Sequence, residues 1–340
     1  MTNSTNDDRP GQPDAQDLPS ISIVVIGRNE GERLIRCLDS IAAVDYPADR
    51  LELIYVDTNS TDGSCAAAEA RGARVVPINP PRPSAAAARN AGLRAVRHDF
   101  VQLLDGDTIL HPAWLRAAVD ILADDRITCT FGRCDELNPD ASPYMRVATL
   151  DWYVPPGPAR YSGGCALHRR ETLEHVGRFD ESLIAGEEPE LCYRIRRHGS
   201  VIWRSDQPMV QHDLNMTTFR QYWQRAVRSG WAYIVTAAKC RAGPEPLWRR
   251  ENIANAAEVL VWLVAAGFAV VLWNLWILIL LVVVPFLRTV WIASRVRLRT
   301  DTWNTALLYG LSCQFMRIPL FVGQIRGLWY LLRRREAKTA

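Results

Sequence analysis

Ser22-Ile-Val-Val-Ile26, Leu51-Glu-Leu-Ile-Tyr-Val56, Arg74-Val-Val-Pro-Ile78 and Phe100-Val-Gln-Leu-Leu104 are the stretches that decide the fold. Each is a short apolar run, and helix-like amphipathic stretches separate them at 30–42, from about Thr61, and at 84–97. Strands and helices of these lengths in alternation predict crossover units and a mostly parallel sheet covered on both faces. Residues 21 to about 125 therefore read as a Rossmann-like α/β layer. Ligands of such sheets sit beyond the carboxyl ends of the strands, so the residues that follow each run matter most. Here they are polar and acidic: Gly27-Arg28-Asn29-Glu30, Asp57-Thr-Asn-Ser-Thr-Asp62-Gly-Ser64, and Asp105-Gly106-Asp107.

Outward from these runs, the 340 residues are 48% hydrophobic and 23% charged, which excludes a disordered chain, collagen and a disulfide mini-scaffold. Forty basic against 37 acidic residues leave a net charge of +3, no broad field for gripping nucleic acid. The eight cysteines are scattered without a C-x-x-C pair, so neither a zinc site nor a disulfide framework is expected. Residues 1–19 carry Asp7, Asp8, Asp14 and Asp17 against Arg9 and no apolar run, the pattern of a solvated tail. The basic start and apolar stretch of a signal peptide are missing from this tail, so the folded part is expected to stay in the cytoplasm.

Neither G-x-G-x-x-G nor G-x-x-x-x-G-K-S/T occurs after these strands, which argues against a nicotinamide enzyme or a P-loop ATPase. Several carboxylates on one sheet edge cannot cradle a phosphate alone, because like charges repel. A divalent cation bridging carboxylate and diphosphate oxygens resolves the conflict.

The ordered series SIVVIGRNE, YVDTNSTDGS, SAAAARNAGL, LLDGDT, SGGCALHRRETLEHVGRFDE and GEEPELCYRIRRHG, spanning 21 to about 230, resembles the family 2 glycosyltransferases of the GT-A fold. The type it is most similar to is the membrane-attached bacterial one, such as the succinoglycan and other exopolysaccharide glucosyltransferases. The resemblance implies a nucleoside diphosphate sugar, UDP-hexose or GDP-mannose, and Mg2+ or Mn2+. It assigns Asp57 to the nucleobase, against a competing reading as turn and cap chemistry. It assigns Asp105 to the ribose and metal region and Asp107 to the metal itself, with His212 as a further ligand. Arg28, Glu30, Arg89 and Asn90 fall at donor-binding positions, Arg89 toward the diphosphate. Glu188 matches the general base that takes the acceptor's proton, needed because a protonated sugar hydroxyl is barely nucleophilic; the family's usual Asp is here longer by one methylene, and Glu187 stays open as the working base. Gly163 and Gly164 match the acceptor-side wall, where glycine permits close approach to a sugar, and Arg225 and Arg228 the region closing over the diphosphate and acceptor. The Q-x-x-R-W signature of processive relatives is not matched, which argues against a long-chain synthase.

The chain's end changes character. Val259 to Leu287 is 29 residues without a formal charge, about 44 Å as one helix at 1.5 Å per residue, against a hydrocarbon core of about 30 Å. Basic residues flank it equally, Lys239, Arg241, Arg249 and Arg250 before and Arg288, Arg295, Arg297 and Arg299 after, which predicts a hairpin over about 253–292 turning near Trp273-Asn274 with both ends in the cytoplasm. Residues 303–331 are Trp-rich and apolar with Arg317 and Arg326 inside, the pattern of an interfacial helix or a third span, with Arg333-Arg334-Arg335 against anionic head groups. The expected organisation is thus a tail (1–19), a cytoplasmic GT-A domain (20–240) and a membrane region (241–340). The expected activity is inverting sugar transfer at the inner membrane to a hydroxyl of a glycan or lipid-linked acceptor, inversion being implied by the family. Its rivals are a polyprenyl-phosphate glycosyltransferase and a non-catalytic nucleotide-sugar-binding scaffold.

Overall fold

The structure, a computed structural model, describes residues 18–243, 245–300 and 302–339, with side chains to Arg333; most of the expected tail and the side chains of Arg334 and Arg335 lie outside the described residues. The four apolar runs form β1 (Ile21–Gly27), β2 (Leu51–Asp57), β3 (Arg74–Pro77) and β4 (Phe100–Asp105). Between them run α1 (Glu32–Ala42), α2 (Ser64–Glu69) and α3 (Ala85–Ala95). Ser84 caps α3 by accepting from the Ala87 amide at 3.2 Å, one of the free donors every helix start must satisfy. Every residue of β1 up to Ile26 is buried, as a strand covered on both faces requires.

These four strands are parallel in the order β3-β2-β1-β4. The register aligns Gly27 with Asp57 and Ile26 with Asp105, so the three acidic loops leave the sheet side by side. The sheet then continues differently. β5 (Thr108–Leu110), α4 (Trp114–Ile121), β6 (Ile127–Glu136), α5 (Pro143–Asp151), β7 (Gly157–Pro158), β8 (Ala166–Arg169), α6 (Arg170–His175), α7 (Glu187–Arg197) and β9 (Val201–His212) follow. β8 enters antiparallel between β4 and β6, β9 pairs parallel with β6, and β5 and β7 add antiparallel to β9. The expected parallel layer is therefore one half of a mixed nine-stranded sheet.

Beyond the sheet stand α8 (Phe219–Lys239), begun by a capping box in which Thr218 and Gln221 bond reciprocally, and then α9 (Arg249–Val271), α10 (Leu275–Val296), α11 (Trp303–Phe315) and α12 (Arg317–Thr339). α9 and α10 form a hairpin whose turn falls at Leu272, Trp273 and Asn274, with Asn274 accepting from the amides of Trp276 and Ile277 to cap α10. Three helical stretches, Arg249–Val271, Leu275–Arg299 and Trp303–Arg333, are long and apolar enough to cross a membrane by length and composition. Trp273, Trp276 and Val282 stand 91%, 76% and 70% exposed, an apolar surface that water would not tolerate over so long a helix pair.

Buried polar side chains lock these helices. The Gln324 amide of α12 bonds Asn252 and Asn255 of α9, Asn252 donates to the Tyr233 carbonyl of α8, and Glu258 pairs with both Arg288 and Arg317. α12 runs along α8. A Cβ on Gly230 would stand 2.0 Å from the Leu320 carbonyl oxygen and one on Gly323 2.1 Å from that of Val227, so the two backbones meet where any side chain would part them. This packing joins α12, from the expected membrane region, to α8, from the expected cytoplasmic domain.

Candidate active site

The aligned strand ends open into a cleft of about 1180 Å3 lined by the loops after β1 and β4, the 161–165 segment, the start of α7 and one face of α8. Its floor carries a cluster built by pairing. β5 and β9 set Thr108 opposite His212, and the Asp213 amide bonds the Asp107 carbonyl at 2.8 Å. That brings one ligand atom each of Asp105, Asp107 and His212 within 4.8 Å of one another. His212 Nε2 stands 3.6 Å from Asp107 Oδ1, beyond hydrogen-bond reach, and its buried Nδ1 has no hydrogen-bond partner among the described residues. Burial lowers the His212 pKa, which keeps the imidazole neutral, the form that ligates metals. Burial, and then the neighbouring Asp105, raise Asp107 to about 7. Two crowded carboxylates beside an unpartnered imidazole are a donor set that fits a hard or borderline divalent cation. Arg33 of α1, which the sequence reading did not single out, approaches Asp107 at 3.9 Å and pairs with Glu30 at 2.7 Å.

A second group adjoins the first. Arg89, on α3 and fully enclosed, donates to Asp105 at 2.8 Å and to Glu187 at 2.9 Å. Its charge, expected at the diphosphate, is committed to two protein carboxylates, because a buried guanidinium must find counter-charges wherever the chain supplies them. The same pair explains Gly164. A Cβ there would come within 2.6 Å of Arg89 Nη2 and 2.7 Å of Asp105 Oδ2, so this glycine makes room for an ion pair where the sequence suggested room for a sugar. Gly163 beside it is open, with φ +77°.

With Glu187 held by Arg89, its neighbour is differently placed. Glu188 Oε1 accepts from the Ser162 amide at 2.7 Å, the Ser162 hydroxyl at 3.2 Å and the Cys192 thiol at 2.9 Å. Three donors on one oxygen orient the carboxyl and leave Oε2 uncommitted by them. Burial nonetheless pushes the Glu188 pKa above the usual carboxylate range. Ser162 and Cys192 were invisible to sequence reasoning as supports for Glu188; Cys192 lies one helical turn after it on α7, a spacing that could have suggested the contact.

The remaining donor-side residues divide. Arg28 and Glu30 line the cleft, as do Arg225 and Arg228 from α8. Asp57 is 2% exposed, accepting from the Tyr55 hydroxyl at 3.1 Å and the Ser60 amide at 2.8 Å, which is the cap chemistry its sequence context allowed. Asn90 turns away: its amide group donates to the Phe179 carbonyl and Glu181 and accepts from the Phe179 amide, clipping a loop behind the cleft. Both ends of the side chain expected at the nucleotide are thus engaged by the protein itself.

The mixed sheet with carboxylates beyond β4 defines a glycosyltransferase fold of the GT-A class. Residues 22–177 match the family model for Glycosyl transferase family 2. Glycosyltransferase AglE of Haloferax volcanii is 25% identical over 178 residues, 50% of this chain and 59% of that protein. The pre-mycofactocin glycosyltransferase of Mycobacterium tuberculosis is 28% identical over 221 residues, 60% of this chain and 45% of the other. The chain thus spans about half the length of the curated relatives it matches. Among solved structures, the mannosyltransferase PcManGT from Pyrobaculum calidifontis, in complex with GDP-Man and Mn2+, shares the fold with a TM-score of 0.67 at 20% identity, over 93% of this chain and 89% of that one.

Proposed function

We propose that the protein transfers one sugar, with inversion, from a nucleoside diphosphate sugar to a hydroxyl of a glycan or lipid-linked acceptor held at the inner membrane, its catalytic part facing the cytoplasm. The observation that carries the reading is one cleft holding both a three-residue cation-type cluster, Asp105, Asp107 and His212, and a carboxyl oriented by three donors, Glu188. Those three cluster residues would hold Mg2+ or Mn2+, which would supply charge to neutralise the departing diphosphate. Glu188 Oε2 takes the proton of the acceptor hydroxyl as its oxygen bonds the anomeric carbon and the bond from that carbon to the diphosphate oxygen breaks. Arg225 and Arg228, which line the same cleft, would supply positive charge to the diphosphate. Arg89 keeps Asp105 and Glu187 in place and takes no proton. The long apolar helices support a membrane-held acceptor, since they would fix the cleft near the bilayer surface.

Purified full-length protein in detergent, given UDP-hexoses and GDP-mannose with Mn2+, should hydrolyse or transfer from one of them, and Asp107→Ala should abolish this. A protein that binds the nucleotide sugar yet never turns it over with membrane-extracted acceptors would be a binding scaffold, and the proposal would be wrong.

A further inference from the structure

Beside the catalytic cleft lies a second groove of about 1080 Å3, between α8 and α12. Among the described residues, every charged residue lining it is an arginine: Arg82, Arg220, Arg228, Arg326 and Arg333. Its apolar walls are aromatic, with Trp223 and Trp231 on α8 and Trp329 on α12. The spacing explains the concentration. Arg326, Trp329 and Arg333 recur at three and four residues on α12, as do Arg220, Trp223, Val227 and Trp231 on α8, so each helix gives one face to the groove. Arg333 stacks at 3.5 Å over the Trp329 ring, and Trp231 meets Tyr330 at 5.3 Å.

Three features select an occupant. Arginines without an acidic neighbour in the wall among the described residues call for an anion, and several planar guanidiniums suit phosphate oxygens. The groove sits at the end of the long apolar stretch Trp303–Arg333, the level at which Trp and Arg meet lipid head groups. It also adjoins the catalytic cleft, because Gln224 and Arg228 line both. We infer that this groove binds the diphosphate of a lipid-linked acceptor, with the lipid chain leaving along the aromatic wall and the sugar beyond the diphosphate entering the cleft toward Glu188. The inference rests on the glycosyltransferase reading above and names its acceptor class. Bulk phospholipid offers the same phosphate but carries no sugar to present, so the adjacency of groove and cleft favours the acceptor.

The test uses the full chain in nanodiscs of phosphatidylcholine, with geranylgeranyl diphosphate as probe and the tryptophan fluorescence of the groove as readout. Wild type should give a saturable change. Arg220→Gln with Arg326→Gln, both exposed positions away from the cleft, should weaken that binding at least about tenfold, each single variant doing so in part, while binding of a Mn2+–nucleoside diphosphate stays unchanged. Undiminished probe binding by the double variant overturns the inference. So does equal competition by inorganic diphosphate, which makes the groove a general anion surface, or by phosphatidylglycerol added to the nanodisc, which makes it a head-group contact. Absence of nucleotide binding by the wild type would count against the glycosyltransferase reading instead, a separable result.

Discussion

Replacing Gly164 by alanine tests the centre of the site with a single methyl group. The new Cβ would stand 2.6 Å from Arg89 Nη2 and 2.7 Å from Asp105 Oδ2, both well inside the 3.4 Å at which ordinary contact begins. Neither neighbour can retreat freely, since Arg89 is enclosed and tied at its other nitrogen to Glu187. If the backbone yields, the cost is that of overpacking, about 1–3 kcal/mol. If the Arg89–Asp105 pair parts, a buried charge loses a partner and the cost rises toward about 3–5 kcal/mol. For a domain of this size each kcal/mol lowers the melting temperature by about 2–4 °C, so a loss near 3 kcal/mol predicts a drop of about 6–12 °C. Asp105 also belongs to the cation-type cluster, and its displacement should weaken Mn2+-dependent nucleotide binding in the same variant. Thermal unfolding of the detergent-solubilised chain, with and without Mn2+ and nucleoside diphosphate, reads both effects. Gly163→Ala is the control: its φ of +77° brings backbone strain but nothing lies within 4 Å of the added atom, so it should cost about 1 kcal/mol and leave the nucleotide response intact. A Gly164→Ala protein that melts with the wild type and keeps its nucleotide response would refute the account of Arg89 and Asp105.

Three further outcomes follow from the same geometry. Glu188→Gln should lower transfer to a hydroxyl about 10^2- to 10^4-fold while leaving Mn2+–nucleotide binding unchanged, measured by single-turnover transfer and by thermal shift; retained transfer would favour a phosphate acceptor, which needs no base. Because burial holds the Glu188 pKa above the ordinary carboxylate range, activity should fall on acidification through that raised value, measured as the pH profile of kcat/KM; Cys192→Ala removes a donor to its charged form and should move that acid limb to higher pH. Gly323→Val on α12 should separate α12 from α8, which meet at the Val227 carbonyl, and lower the melting temperature, whereas Gly267→Ala on α9, with open space at its Cβ, should not.

Much of the catalytic half was legible because buried parallel strands must be nearly all apolar, and their ends must break in polar turns; Ile21–Gly27 and Phe100–Asp105 show both properties within a few residues. The hairpin of α9 and α10 was legible for the same reason, a 29-residue uncharged run with Asn274 in its middle. The antiparallel entry of β8 between β4 and β6 was not, since its pairing with β4 joins residues more than 60 positions apart and no local pattern records which edge a four-residue strand will choose. The supports of Glu188 were hidden likewise, Ser162 being a small residue 26 positions away whose value lies only in where its amide points.

Residue order alone therefore determined the alternating α/β layer, the acidic strand ends and the apolar final quarter, because burial and periodicity are properties of neighbours along the chain. Tertiary structure alone decided that Arg89 answers Asp105 and Glu187, that three donors from Ser162 and Cys192 orient Glu188, and that α8 and α12 gather arginines into one groove. The physical reason is that the state of a charge is set by what lies within a few ångströms of it, and those neighbours come from positions 89, 105, 162 and 187, which only folding brings together.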